Sequence, residues 1–389
     1  MAHTETALQS LLNNILLKIN YKDPKINIKL VSSEGANYTS RLLEITIEDQ
    51  DQETLQLFAK VGIFSDTLRK ELGCQCVFFN EDSVYQNLPK AFEEIQEKYK
   101  IPKDDRYVFP KFYGSNLEEG NETFVFENLC AKGYEIFDRF ETMDYRSVFD
   151  TTATLAKFHA LGFALEKERP EMFNEFDARD ELLEAFDTFV DSSKDKVVEY
   201  IQYLDEEYRS RLLKFLNLKG YDSYKTFYHK YGRKMLIHGD YRDSNIMHKR
   251  VGDKVLVVPV DYQGVRVGCG VTDLLYFITM STNEGFRIKH FDELIEHYYN
   301  QLTLFLKQLG IDSNEVYPKE QYQKELKEML PYTLFLALSL FPLIMVEAEN
   351  APKVDDTKAD VAVFFIPPNA KSTEKLIGYI KDCIRWKVI

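Results

Sequence analysis

Asp240 and Asn245 stand five residues apart in the run Leu236-Ile237-His238-Gly239-Asp240-Tyr241-Arg242-Asp243-Ser244-Asn245-Ile246-Met247. The run has an apolar lead-in, a polar turn and an apolar exit. A second apolar run, Val255 to Val260, delivers Asp261-Tyr262-Gln263 at its end. Two carboxylates and an amide on turns after strand-like segments are the parts that phosphoryl transfer needs. One carboxylate orients a hydroxyl and accepts its proton, while the amide and the second carboxylate hold magnesium against phosphates. Asp240, Asn245 and Asp261 match these roles in that order. The two apolar runs are expected to pair as neighbouring strands.

The spacing between Asp240 and Asn245 is the one the protein-kinase catalytic loop uses between its Asp and Asn. Lys60 closes the strand-like stretch Leu55-Gln56-Leu57-Phe58-Ala59-Lys60-Val61, the slot from which a lysine reaches the α and β phosphates, and Glu81 follows on the next expected helix. The pair would aim the ammonium at a nucleotide. Ser33 to Ser40 lies between the first two expected strands, where a phosphate-covering turn belongs. Its single Gly35 is a weak signal, and backbone amides with the Thr39 or Ser40 hydroxyls would be its donors. His159, on an apolar helix face, and His238 are expected to be structural.

These residues sit in a chain of 389 residues, 44% hydrophobic and 29% charged, which is long enough for two or three lobes. The net charge of −14 disfavours nucleic acid or an anionic membrane surface as partner, because both select a basic footprint. A bound polyphosphate would therefore need a local cation and a metal. No secretion signal is read at the N-terminus, where Leu8, Leu11, Leu12, Ile15 and Leu16 fall on one face of a helix. Tyr332 to Val346, the longest apolar stretch, reads as a buried core helix. Five cysteines form no paired framework, which points to reduced thiols and a cytoplasmic protein. No obligate protein partner is evident.

The elements that must position the site follow from periodicity. Ile26 to Val31, Arg41 to Ile47 and Thr54 to Val61 read as strands, Asn80 to Glu97 as a helix, and Phe109 to Tyr113 and Thr123 to Glu127 as two more strands. From Tyr145 onward the pattern is mainly helical: Phe149 to Leu165, Asp180 to Val190, Val197 to Phe215, Phe291 to Leu309 and a last helix from Ser372 to about Trp386. The expected fold is α+β with two lobes, a small β-rich one over residues 1–128 and a larger, mainly helical one over 129–389.

The order Gly35-x-Asn37-Tyr38-Thr39-Ser40, Lys60, Glu81, Phe126-Glu127-Asn128-Leu129, Leu155 to Ala160, His238-Gly239-Asp240 to Asn245, Asp261-Tyr262-Gln263 and Asp273-Leu274-Leu275-Tyr276-Phe277 resembles the ecdysteroid kinase-like family. That family is similar to the choline and aminoglycoside kinases and has a protein-kinase-like fold. The resemblance implies ATP as donor, Asp240 as base, and Asn245 and Asp261 as Mg2+ ligands. It also implies Glu127, Asn128 and Leu129 as the hinge facing adenine, and Asp273 as a brace for the catalytic loop. The implied acceptor is a small molecule, an ecdysteroid phosphorylated at its 22-hydroxyl. Choline, a sugar or an aminoglycoside would be alternative acceptors, and a nucleotide-binding pseudokinase a further reading. Asp261-Tyr262-Gln263 departs from the Asp-Phe-Gly of protein kinases, and the short stretch to Asp273 leaves no room for a long activation segment. Arg242, two residues after Asp240, is expected to contact the γ-phosphate, to pair with Asp243 or to be solvated.

Overall fold

The computed structural model describes residues 2–31, 40–72, 74–178, 180–219, 232–352, 354 and 359–389. The expected phosphate-covering residues Asn37, Tyr38 and Thr39 lie outside them.

The first lobe is a five-stranded antiparallel sheet of order β1-β2-β3-β5-β4, built from Lys25–Val31, Ser40–Asp49, Gln52–Gly62, Phe112–Asn116 and Thr123–Glu127 numbered in chain order. Helix α1 (Ala2–Lys18) closes one face of it. Its stripe of Leu8, Leu12, Ile15 and Leu16 meets Ile45, Ile47, Leu57, Ala59 and Val125, so the amphipathic spacing read in the sequence becomes a second layer. A short helix α2 (Asp66–Leu72) precedes α3 (Cys74–Lys98), which starts earlier than the pattern suggested. Strand β4 begins at Phe112 rather than Phe109. Pro110 has no N–H to give a ladder, which moves the pairing downstream.

The second lobe is mainly helical. Helix α4 (Tyr145–Glu168) runs through its core with Phe158, His159 and Leu165 fully buried, and the Asp144 carboxylate caps it by accepting from Ser147 N at 3.1 Å. Next come α5 (Pro170–Asp177), α6 (Asp180–Ile201) and α7 (Glu206–Lys219). Helix α6 runs on past Val190, because Val190, Val197 and Ile201 bury one continuous stripe. Strands β6 (Glu135–Ile136), β8 (Ile246–Val251) and β9 (Lys254–Pro259) form one small sheet, and β7 (Lys234–Ile237) with β10 (Arg266–Cys269) another. The expected pairing of the two apolar runs thus holds only for the exit segment, with Ile246 opposite Pro259 and Met247 opposite Val258. The lead-in Met235-Leu236-Ile237 pairs instead with Arg266-Val267-Gly268. Each apolar edge finds its own partner, and the polar turn is left at their junction.

The chain passes from β10 directly into α8 (Gly270–Ser281), so Asp261 and Asp273 are joined with no long activation segment. Helices α9 (Glu284–Gln308), α10 (Ser313–Val316), α11 (Lys319–Ile344) and α12 (Ala370–Arg385) complete the described lobe. Helix α11 is long and apolar enough to cross a membrane by composition alone, but most of its apolar stretch is buried inside the fold, including Leu334, Phe335, Leu338 and Phe341. Arg287 of α9 and Asp382 of α12 form a fully buried ion pair at 2.5 Å that ties the last helix to the rest. The lobes are also joined away from the cleft. Ser65 donates through its N–H to Val354 O at 3.0 Å and through its hydroxyl to Ala359 O at 2.8 Å.

Candidate active site

Lys60 points from β3 into the space between the lobes. Its ammonium donates to Glu81 Oε2 of α3 at 2.8 Å and to Asp261 Oδ1 at 2.5 Å. Burial works against its charge, but Asp261 and Glu81 outweigh burial and hold Lys60 firmly protonated. Burial pushes the Glu81 carboxyl up to about 7 against the pull of Lys60, with Asp261 adding to the rise. Residues 21 and 201 positions apart from Lys60 thus share one cation. Lys60 and Glu81 are both buried, so neither is a solvated surface charge.

Asp261 itself has left-handed backbone angles, φ 64° and ψ 60°, uncommon for a non-glycine residue and strained unless the surroundings impose it. The surroundings are explicit. Asn80 Nδ2 of α3 donates to Gln263 O at 2.8 Å and to Val265 O at 2.9 Å, and Tyr262 is buried with its hydroxyl 2.7 Å from that of Tyr107. Tyr262 also packs against the rings of Phe109 and His238. It fills the place after Asp261 with an aromatic ring, as a Phe would. Gly239 approaches the same turn so closely that a Cβ on it would lie 2.3 Å from Gly264 O, and its φ of 83° suits glycine as well.

The turn from His238 to Asn245 is held from below by Asp273 of α8. Its carboxylate accepts from His238 N at 2.6 Å and Gly239 N at 2.9 Å, with His159 Nε2 at 3.2 Å. Burial opposes the Asp273 charge, yet the His159 contact and the backbone donors hold its carboxyl below the usual range. His159 also touches the Tyr298 hydroxyl at 2.6 Å and is a satisfied core histidine. Burial pushes the His238 imidazole downward, and its Nδ1 accepts from Asp240 N at 3.4 Å.

Asp240 accepts at Oδ1 from Arg242 Nε at 3.1 Å and from the Tyr276 hydroxyl at 2.7 Å, and at Oδ2 from Asn245 Nδ2 at 2.8 Å. Burial raises its carboxyl, but Arg242, the Tyr276 hydroxyl and Asn245 outweigh burial and leave it below the ordinary carboxylate range. Arg242 is neither solvated nor paired with Asp243. Its Nε–H turns back to Asp240 while another guanidinium N–H reaches the Ser244 hydroxyl, because the Asp243 carboxylate is engaged by Ser244 N at 2.7 Å. Asn245 also donates to Asp240 O at 2.9 Å, and its carbonyl receives Val260 N at 2.9 Å, which fixes the turn to the strand leading to Asp261.

Of the residues expected to form the hinge, Glu127 ends β5, accepts from Lys111 N at 2.8 Å and pairs with Lys132, and Asn128 N donates to Gln56 O at 3.1 Å. Leu129 packs with Met247 and Val258 into a small apolar platform. Ser40, at the start of β2, is buried opposite Gly62 of β3. Tyr276 and Asn80 are the site residues sequence reasoning passed over. Both sit mid-helix, and only the pairing of Asn80 with the adjacent Glu81 could have flagged one of them.

A bound magnesium ion can be tested against this donor set. Among the described residues no three His, Cys, Asp or Glu side chains cluster as a self-sufficient metal cage. Asp261 keeps its side chain 24% exposed, and Asn245 spends its amide nitrogen on Asp240, leaving its oxygen as an acceptor. One carboxylate plus one amide oxygen suits a small hard cation that takes its remaining ligands from phosphates and water.

No curated protein matches the chain. Among solved structures, a protein assigned as an aminoglycoside phosphotransferase from Ralstonia eutropha JMP134 shares 12% identity, with a TM-score of 0.42 and coverage of 96% of this chain and 98% of that one. A microcompartment-associated aminopropanol kinase (12% identity, TM-score 0.40, 97% and 98% covered) is similar. So is a glucosamine kinase in complex with glucosamine, ADP and inorganic phosphate (12%, 0.40, 86% and 80%). These values are too low to transfer an activity. The profile of the ecdysteroid kinase-like family, in contrast, matches residues 34–311, from after β1 to beyond α9, and the chain belongs to that family.

Proposed function

We propose that the protein is an ATP-dependent small-molecule kinase that transfers the γ-phosphate to a hydroxyl, most specifically the 22-hydroxyl of an ecdysteroid. The observation that carries the reading is the convergence of Glu81 and Asp261 on the Lys60 ammonium, alongside an Asp240 carboxylate held by two donors from its own loop, Arg242 and Asn245, and a third from α8, Tyr276. Family membership supports the same reading.

In this reading Lys60 anchors the α and β phosphates and Glu81 aims it. Glu127, Asn128 and Leu129 face the adenine, with Leu129, Met247 and Val258 as the apolar surface beneath it. Asn37, Tyr38, Thr39 and Ser40 would cover the phosphates. Asn245 and Asp261 would hold Mg2+, which when bound neutralises charge on the phosphates. Asp240 receives the acceptor hydroxyl. The acceptor oxygen forms its bond to the γ-phosphorus, the bond from that phosphorus to the bridging oxygen breaks with its electron pair leaving on ADP, and the hydroxyl proton passes to Asp240. A carboxylate held below the usual range is a poor base early and an adequate one late, which suits a loose transition state in which the proton moves only as the new bond forms. Arg242, seated on Asp240, places positive charge beside the transferring group.

The acceptor class is supported by the family and by Tyr276, which touches Asp240 through its hydroxyl and packs on a cluster that contains Tyr332, Phe335 and Phe341. A rigid apolar ligand loses little entropy on such a surface, and a few polar groups then decide which hydroxyl reacts. Purified protein incubated with ATP, magnesium and ecdysone, followed by phosphorus-coupled NMR, is expected to show phosphate on the 22-oxygen. Phosphate on a ring hydroxyl would refute the regiochemistry, and choline turnover without any ecdysteroid product would refute the acceptor class. The net charge of −14 speaks against an anionic membrane surface as partner, and we place the enzyme in the cytoplasm with free small molecules; recovery in a membrane pellet would contradict that.

A further inference from the structure

We infer that Tyr276 is a positioning residue that sets which lone pair of Asp240 is open to the acceptor. The inference rests on the reading of Asp240 as the group that receives the hydroxyl proton.

An ionised carboxylate offers about four lone-pair sites, two on each oxygen. Among the described residues, Oδ1 of Asp240 accepts twice, from Arg242 Nε at 3.1 Å and from the Tyr276 hydroxyl at 2.7 Å. Oδ2 accepts once, from Asn245 Nδ2 at 2.8 Å. The remaining site lies on Oδ2, on a side chain that is 22% exposed. Filling Oδ1 with two donors therefore directs a substrate O–H to Oδ2, next to Asn245.

Tyr276 is suited to this because of where it stands. Asp273 and Tyr276 are three residues apart on α8, and so share one face of the helix. Asp273 holds the backbone of the loop through His238 N and Gly239 N, and Tyr276 holds the side chain that the loop presents. One helix thus fixes both the height of the turn and the rotation of its carboxylate. Arg242 lies on the loop itself and moves with it, so it cannot supply that fixed reference. The Tyr276 ring is anchored at the edge of the aromatic cluster that also contains Tyr332 and Phe341, which keeps its hydroxyl from following Asp240.

The test combines Tyr276→Phe, which deletes only the hydroxyl, with crystal structures of wild type and variant and steady-state kinetics. Without the hydroxyl, Asp240 is expected to occupy more than one side-chain rotation. Turnover should fall about 10- to 100-fold while KM for ATP stays within about twofold, because misplacement of the reacting group costs rate rather than nucleotide binding. A variant in which Asp240 keeps one conformer overturns the inference, whether or not turnover falls, and so does unchanged turnover. In wild-type crystals, a Tyr276 hydroxyl beyond hydrogen-bond reach of Asp240 overturns it without any variant. If wild-type protein consumes no ATP with any hydroxyl acceptor, the functional reading has failed, and the crystallographic comparison alone decides the positioning of Asp240.

Discussion

Replacing Lys60 with methionine removes the cation that bridges Glu81 at 2.8 Å and Asp261 at 2.5 Å. The Glu81 side chain is 1% exposed, so in the variant its charge faces the interior without that partner. Breaking a buried ion pair from one side costs roughly 3–5 kcal/mol. Glu81 can escape part of this cost by keeping a proton. With Lys60 present its carboxyl is already pushed up to about 7 by burial, and without Lys60 it moves higher. A folded-state pKa raised above the unfolded value contributes stability at low pH that is lost as pH rises through it. At about pH 6 the carboxyl is mostly neutral in both proteins. Above about 7 it ionises against Lys60 in the wild type, whereas the variant must hold the proton or bury a bare charge. The stability gap should therefore widen by about 1.4 kcal/mol per pH unit, roughly 2 kcal/mol between about pH 7 and 8.5. Urea denaturation of both proteins at about pH 6 and 8.5, with slopes compared, measures it. A gap that is constant or shrinks with rising pH would refute the shared-cation account of this cluster.

Asp261→Ala is expected to abolish the magnesium dependence of ATP binding while leaving adenosine binding intact, and calorimetry with each ligand at several magnesium concentrations checks this. In Lys60→Met, ATP affinity should fall more than adenosine affinity; equal losses would contradict a phosphate-anchoring role. Lys375 of α12 donates to Met280 O and faces Asp243, Arg242 and Arg287, and burial pulls its ammonium down to about 8. Between about 8 and its ordinary 10.5 the unfolded chain binds more protons, so wild-type stability gains from this group as pH rises. Lys375→Met should lack that gain, on the order of 2 kcal/mol between about pH 7.5 and 9.5 when the two proteins are subtracted. Parallel stability curves would contradict it. Gly239→Ala should unfold or distort the loop, since its Cβ would meet Gly264 O at 2.3 Å; a variant with wild-type melting temperature and turnover would contradict the close approach.

The residues that come together were legible in the sequence because they lie at the edges of apolar runs, where a strand starts or stops and side chains are free to serve a cleft. Asp240 and Asp261 follow such runs, Asn245 immediately precedes one, and Lys60 lies near the end of its strand with Glu81 on α3. Pairing was harder to read. The lead-in to Asp240 and the run before Asp261 are both short and apolar, and nothing local says that the first chooses β10 and the second β8. Tyr276 was hidden for a different reason. In Asp273-Leu274-Leu275-Tyr276-Phe277 it has the look of one more core aromatic, and its role depends on a hydroxyl meeting a carboxylate 36 positions earlier. Of the placements open to Arg242, adjacency offered Asp243, whereas the backbone turn gives an oxygen of that carboxylate to Ser244 N and the guanidinium turns to Asp240. Helix ends moved where burial continued an apolar stripe, as in α6.

The central claim is that Asp240 receives the proton of a hydroxyl acceptor while ATP gives up its γ-phosphate. Acceptor-dependent ADP release by wild type and by Asp240→Asn, measured with magnesium and saturating ATP across a panel of ecdysteroids, choline, sugars and aminoglycosides, tests it most directly. The account predicts acceptor-stimulated release by wild type, strongest with an ecdysteroid, and a loss of about 100-fold or more in the variant with ATP affinity and melting temperature retained. Near-normal turnover by Asp240→Asn, or no acceptor-stimulated release by wild type, would contradict it.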